Sequence, residues 1–175
     1  MNAIQLLRQM HADSKVRFKL ILGADDPKQA AEQWQALQPL LELHEQIEDD
    51  FVYTPLSQEM GPGTPLGDWS VQHEVDVATA TQFIDAANQL DPATAEWRAT
   101  IGTIMDVLNK HITDEEGQIF GRIEQVWDPA RLEAAGQQMQ KIENGAAPAA
   151  KPRSATPTSA KRRGGQTSSR ARRTA

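Results

Sequence analysis

The sequence predicts an all-α protein: an up-down-up-down four-helix bundle with a short fifth helix and a disordered basic C-terminal tail. Three observations lead there. Apolar residues recur at three- and four-residue steps through long segments, the spacing that lines one face of a helix. Strand signals are scarce, with one Tyr and little β-branched alternation, whereas the good helix formers Ala, Leu, Gln and Glu dominate the first part. The joints are mostly short and carry helix start and stop residues, and short joints make neighbouring helices antiparallel.

The first segment runs from about Asn2, a candidate N-cap, to Leu22, with Ile4, Leu7, His11, Ser14, Phe18 and Ile21 on one inward seam and Gly23 as a stop. The second opens at Asp26-Pro27, a cap followed by proline in the first turn, and its seam is Ala30, Trp34, Leu37, Leu41, His44, Glu48 and Phe51. Pro39 lies inside it and is expected to kink or restart the helix just before His44, because it removes a backbone donor. Residues Thr54 to Gly67, rich in Pro and Gly, read as a loop. The third segment extends from near Asp68 to near Leu90, with Trp69, His73, Val77, Ala80, Ile84 and Ala87 inward. The fourth starts at Asp91-Pro92 and reaches about Ile123 through Trp97, Ile101, Ile104, Leu108, His111, Glu115 and Ile119. Asp128-Pro129 opens the short fifth helix, which ends near Ile142.

A chain of 175 residues is one domain with an extra piece. Charge marks the division: residues 1–142 carry 10 Lys and Arg against 23 Asp and Glu, and residues 143–175 carry 8 against 1. The second part is Ala, Pro, Ser, Thr, Gly, Lys and Arg without periodicity, and such a segment cannot bury enough apolar surface to offset its ordering entropy. The absence of cysteine excludes disulfides, thiolate metal sites and cysteine nucleophiles. No signal-peptide pattern or membrane-length apolar run is present, so a soluble cytoplasmic protein is expected.

The chemistry lies in the histidines. His44 and Glu48 stand four apart, as do His111 and Glu115, and residues at that spacing share a helix face. Metal ligation is the simplest use of that pairing. Each motif is preceded by a segment with a single histidine, His11 and His73, which completes the set of four in the chain. Helical rise puts His73 and His111 at one height, roughly 27 Å from the turn between their segments, and leaves His11 and His44 offset by roughly 6 Å. All four fall on inward seams, which four helical residues would do by chance in well under about one case in a hundred. Buried Glu48 and Glu115 would need partners at the same height, and the histidines supply them. The constellation therefore reads as a metal site.

At these residues the sequence resembles the hemerythrin-like, or HHE cation-binding, family. The resemblance covers roughly Met1 to Met139. It is carried by the stretch from Ala3 to His11, by the two His-x-x-x-Glu motifs His44 to Glu48 and His111 to Glu115, the second followed by Phe120, and by Gln72-His73-Glu74. It implies a non-haem di-iron centre with His11, His44, Glu48, His73, His111 and Glu115 as metal ligands. One iron would draw on His11 and the other on His73 and His111, with His44 on either side and the two glutamates as bridges. Glu45 is a secondary candidate, since some iron-sensing relatives use the residue after this histidine; its own position reads as an outward acid. Val77 stands where oxygen-carrying members have a further histidine one turn after His73, so the metals keep more positions for water, oxygen, peroxide or nitric oxide.

Imidazole and carboxylate together suit iron, with manganese or zinc as alternatives. Ferritin-like sites have more carboxylates and Glu-x-x-His spacing, the opposite of this chain. Leu7, Leu41, Phe51, Val77, Leu108 and Ile112 would line the pocket and limit water. The expected function is binding or sensing of oxygen or iron. One alternative is an enzyme acting on hydrogen peroxide or nitric oxide. Another is a metal-binding bundle whose tail, through Lys161-Arg162-Arg163 and Arg170-Ala171-Arg172-Arg173, makes weak, salt-sensitive nucleic-acid or partner contacts.

Overall fold

The computed structural model describes residues 1–145. The basic tail expected from residue 143 lies outside them but for its first three positions. Among the described residues every regular element is helical, and the long helices form a bundle.

Helix α1 (Ala3–Gly23) opens with a reciprocal cap. The Gln5 N–H donates to the Asn2 side chain at 2.9 Å and the Asn2 N–H to the Gln5 side chain at 3.1 Å. At its far end the Arg98 guanidinium donates to the carbonyls of Leu22 and Ala24 at 2.9 and 2.6 Å, satisfying acceptors the helix leaves open. Helix α2 (Pro27–Glu48) starts under the Asp26 cap as expected. Pro39 neither breaks nor restarts it. Both Pro39 and Gln35, whose carbonyl loses its donor, are exposed, so solvent can take over that bond.

The loop expected from Thr54 to Gly67 is mostly helix. After Glu48 the chain widens into a π-helical turn (Asp49–Tyr53), closed by the Thr54 N–H on the Asp49 carbonyl, and continues as α3 (Thr54–Glu59). Pro55 stands in the first turn of α3, which the wide turn makes tolerable. Helix α4 (Pro65–Asn88) begins before Asp68, because Thr64 provides the cap by accepting the Gly67 N–H at 3.1 Å. Asp68 instead accepts the N–H of Gly63, whose φ of 84° is the left-handed conformation glycine allows.

Helix α5 (Ala95–Asp114) starts after the expected Asp91-Pro92. Asp91 shapes the preceding turn by accepting the Ala93 N–H at 2.9 Å, and the Thr94 hydroxyl caps the Trp97 N–H at 3.2 Å. A second π-helical turn (Glu115–Ile119) leads into α6 (Phe120–Val126). Helix α7 (Pro129–Glu143), capped by Asp128, crosses the start of α1 at Gly136, where a Cβ would come within 2.5 Å of the Met1 carbonyl oxygen.

Helix α1 packs on α2, α5 and α7, and α4 packs on α5. The apolar core forms two clusters. One gathers Phe18, Ile21, Trp34, Leu37, Trp97, Ile101 and Ile104. The other joins Ile4, Leu7, Ile47, Tyr53, Leu56, Phe120, Ile123 and Trp127. On α1, α2 and α5 the histidines fall between the residues of the two clusters. Each fully buried large apolar side chain stabilises by about 1.5–3 kcal/mol, which offsets the cost of a polar layer between them.

Candidate metal centre

Five of the six predicted ligands are buried: His11, Glu48, His73, His111 and Glu115 each expose 6 % or less. His44 keeps 14 % of its side chain exposed. The rings of His11 and His44 meet edge to face with centroids 4.8 Å apart, and those of His73 and His111 lie 5.2 Å apart. The height offset expected between His11 and His44 is therefore absorbed. Helical side chains lean toward their own N-terminus, which on antiparallel helices carries these two rings toward one another.

The carboxylates lie among the rings. Glu115 presents Oε2 to His11 Nε2 and Oε1 to His111 Nε2, each at 3.2 Å. Glu48 Oε1 lies 3.4 Å from His44 Nε2 and 3.7 Å from His11 Nε2. The six predicted ligands make up two groups of donor atoms that can each gather within 4.8 Å, His11, His44 and Glu48, and Glu48, His73, His111 and Glu115, and a third group joins Glu45 and Asp49 to His73. Glu48 belongs to the first two.

Other residues, not apparent from the sequence, support the rings. Glu116 Oε1 lies 2.9 Å from His11 Nδ1, and Asp76 Oδ2 lies 3.2 Å from His111 Nδ1, so each ring is held from behind with Nε2 facing inward. The Tyr53 hydroxyl donates to Glu115 Oε1 and accepts from Trp69 Nε1 at 3.1 Å. Asp76 sits three positions after His73, a spacing that could have singled it out. Tyr53 and Glu116 had no such signal, because π-helical turns aim them. Glu45, expected to face outward, turns to His73, with Oε1 3.4 Å from Nε2 and 18 % of the side chain exposed.

Electrostatics follow from this packing. Burial pulls the His11 pKa down, but the Glu115 and Glu48 carboxylates outweigh it and hold the ring protonated up to about 10. For His73, burial is likewise overcome, by Asp49 and Glu45, and the pKa is again about 10. Burial is outweighed at His111 too, mainly by Glu115, and its pKa is raised. At His44 burial prevails over the pull of Glu48, so its pKa is lowered. Burial would raise Glu115, yet His11 and His111 hold it well below the usual carboxylate range. Tyr53 is pushed well above its ordinary value by burial and by the Glu115 charge.

Several buried polar atoms have no hydrogen-bond partner: His11 Nε2, His44 Nδ1, Glu48 Oε1, both ring nitrogens of His73, and Glu115 Oε2. Leaving such a group unsatisfied costs about 1–3 kcal/mol. A cation among them would satisfy several together, and imidazole with carboxylate suits a divalent first-row metal.

A helical bundle with clustered histidines and shared carboxylates defines a metal-binding helical protein. More narrowly, the chain matches the hemerythrin HHE cation-binding domain over residues 2–123 and belongs to that family. The matched span contains all six predicted ligands. No curated protein and no solved structure matches the chain. Among the described residues no helix is long and apolar enough to cross a membrane.

Proposed function

We propose that this chain is a non-haem di-iron protein that binds or senses oxygen or iron inside its bundle. The observation that carries the reading is the bifurcated Glu115, with one oxygen on His11 and the other on His111, beside Glu48, which belongs to both groups of predicted ligands. His11 and His44 would serve one ion, His73 and His111 the other, and Glu48 and Glu115 would span both. When bound, two iron ions supply a redox couple for a small oxidant such as oxygen. The chain's own part is to orient His11 and His111 through Glu116 and Asp76 and to keep bulk water out with its apolar clusters, and its protonated rings would release protons to solvent as a cation takes their place. Manganese or zinc would fit the same donors.

Elemental analysis after anaerobic reconstitution, followed by an optical titration with air, tests this. Two irons per chain and a ferric charge-transfer absorption that grows on aeration are expected. A protein that retains no iron, or whose spectrum is unchanged by air, is incompatible with the reading.

Tyr53 favours a second reading, an enzyme acting on hydrogen peroxide or nitric oxide. Its hydroxyl donates to Glu115 inside the site, a positioned O–H of the kind that proton-transfer chemistry requires. Oxygen evolution from hydrogen peroxide that disappears in His111→Ala and falls in Tyr53→Phe would support it. No turnover leaves binding or sensing.

A further inference from the structure

Between Lys28 and Arg98 the chain has no Lys or Arg, yet it carries 13 Asp and Glu there. Elsewhere in residues 1–142 the 10 acids are matched by 10 bases. The whole acidic excess of the bundle therefore lies on the span that builds α2, α3 and α4. Helices α2 and α4 are neighbours: the Asn88 amide donates to Gln38 Oε1 at 2.8 Å toward one end of their junction, and Glu45 Oε1 lies 3.4 Å from His73 Nε2 toward the other. Helical spacing brings Glu42, four after Gln38, and Asp85, three before Asn88, to the outer side of that junction, and Glu74 follows His73 along it. All three are exposed, and among the described residues none has a side-chain hydrogen bond or ion pair.

Residues 146–175 have the opposite balance, 8 Lys and Arg with no acid, and six of these bases stand in Lys161-Arg162-Arg163 and Arg170-Ala171-Arg172-Arg173. The chain sets out toward them from beside α2. Helix α7 touches α2 as well as α1, and Ile142 in its last turn packs on the cluster that holds Ile47. Sixteen residues separate Gly145 from Lys161. That is a reach of roughly 20–24 Å for a flexible chain, against about 8–10 Å between neighbouring helices. The two basic groups begin nine residues apart, roughly 15–18 Å on the same scale, and Glu74 and Asp85 lie about 16 Å apart along α4. One exposed ion pair contributes little, but several pairs on a tethered segment act at a high effective concentration. We propose that the basic tail docks on the acidic junction of α2 and α4 in its own chain, setting Lys161 to Arg163 and Arg170 to Arg173 against Glu42, Glu74 and Asp85. The attraction is between exposed charges, so salt weakens it.

A carbodiimide, which joins a lysine amine to a carboxylate only where the two touch, tests this on the full-length chain, with the links read by peptide mass spectrometry. At about 20 mM salt Lys161 should link to Glu42, Glu74 and Asp85 at least about five-fold more often than to Asp13, Asp106 and Glu124, exposed acids on α1, α5 and α6. Raising the salt to about 0.5 M should cut the favoured links at least about five-fold. The variant Arg162→Gln/Arg163→Gln/Arg170→Gln/Arg172→Gln/Arg173→Gln keeps Lys161 and alters no residue of the bundle, and it should cut them comparably at low salt. In a mixture of heavy-nitrogen-labelled and unlabelled chains, each link should join peptides of one isotope. Links spread evenly over all six acids overturn the docking, as do links that ignore both salt and the arginine variant. Links between the two isotopes overturn it as well, since a second copy would then take the tail. So does an absence of links, and if the wild-type chain then retards a DNA duplex while the arginine variant does not, the tail belongs to nucleic acid instead.

Discussion

The two His-x-x-x-Glu motifs are one device in the sequence, and the bundle finishes them differently. Each glutamate stands where an α-helix widens into a π-helical turn. In the second motif His111 is held from behind by Asp76, and Glu115 faces two imidazoles while accepting from Tyr53. In the first, His44 is partly exposed with an unpartnered Nδ1, and Glu48 lies near two imidazoles with no tyrosine donating to it, its Oε1, like Glu115 Oε2, buried without a hydrogen bond. Identical spacing therefore yields one half whose histidine is held from behind by an acid and whose glutamate accepts from a tyrosine, and one half without either support.

The sharpest way to break that contrast is at the glutamates. Glu115→Gln should lower metal content from two ions per chain to one or fewer by elemental analysis, with a smaller loss for Glu48→Gln. Equal losses would erase the distinction between the halves.

Next come the residues behind the rings. Asp76→Asn and Glu116→Gln should weaken metal affinity by about 10–100-fold in a chelator competition, with little change in the melting temperature of the metal-free protein. An unchanged affinity would mean that the rings are oriented by packing alone.

Proton competition is expected to be intermediate. The pKa values of His11 and His73 rise from 6.5 to about 10 in the metal-free fold. A raised folded value stabilises fully below the ordinary pKa, so this contribution is complete below pH 6.5 and is lost as pH climbs through about 10. Melting of the metal-free protein should accordingly drop between neutral pH and pH 10. Loading a divalent ion near neutral pH should release protons, measurable with an indicator in weak buffer. Uptake without proton release would contradict the charge state derived for these rings.

The smallest effect concerns Tyr53. Removing its hydroxyl in Tyr53→Phe leaves a buried carboxylate oxygen short of a donor, at a cost of about 1–3 kcal/mol. Thermal melting should fall by roughly 3 °C per kcal/mol for a domain of this size. A melting temperature equal to wild type would show that Glu115 is satisfied by its imidazoles alone.

How far the sequence could be read depended on the length scale of the feature. Helical periodicity over many residues is a local property, so the inward seams of His11, Trp34, His73 and Trp97 could be traced from spacing, and so could the all-α class. Helix ends were less secure: Asp91 and Thr94 both resemble caps, and only the hydrogen bonds formed show that Thr94 is the one in use. Thr54 to Glu59 looked like loop because Pro55 reads as a breaker, whereas a π-helical turn places it where its missing donor matters least.

Composition and spacing alone determined that this chain would be helical, that its acids and bases would segregate, and that four imidazoles would stand on inward faces. Only the tertiary structure decided what surrounds them. Glu45 turned inward, Glu116 and Asp76 came to rest behind the rings, and the Tyr53 hydroxyl reached Glu115 from another helix. The reason is physical. A residue's face follows from its neighbours along one helix, but its partners depend on how several helices are rotated and where each turn widens, and no repeat in the chain encodes those rotations.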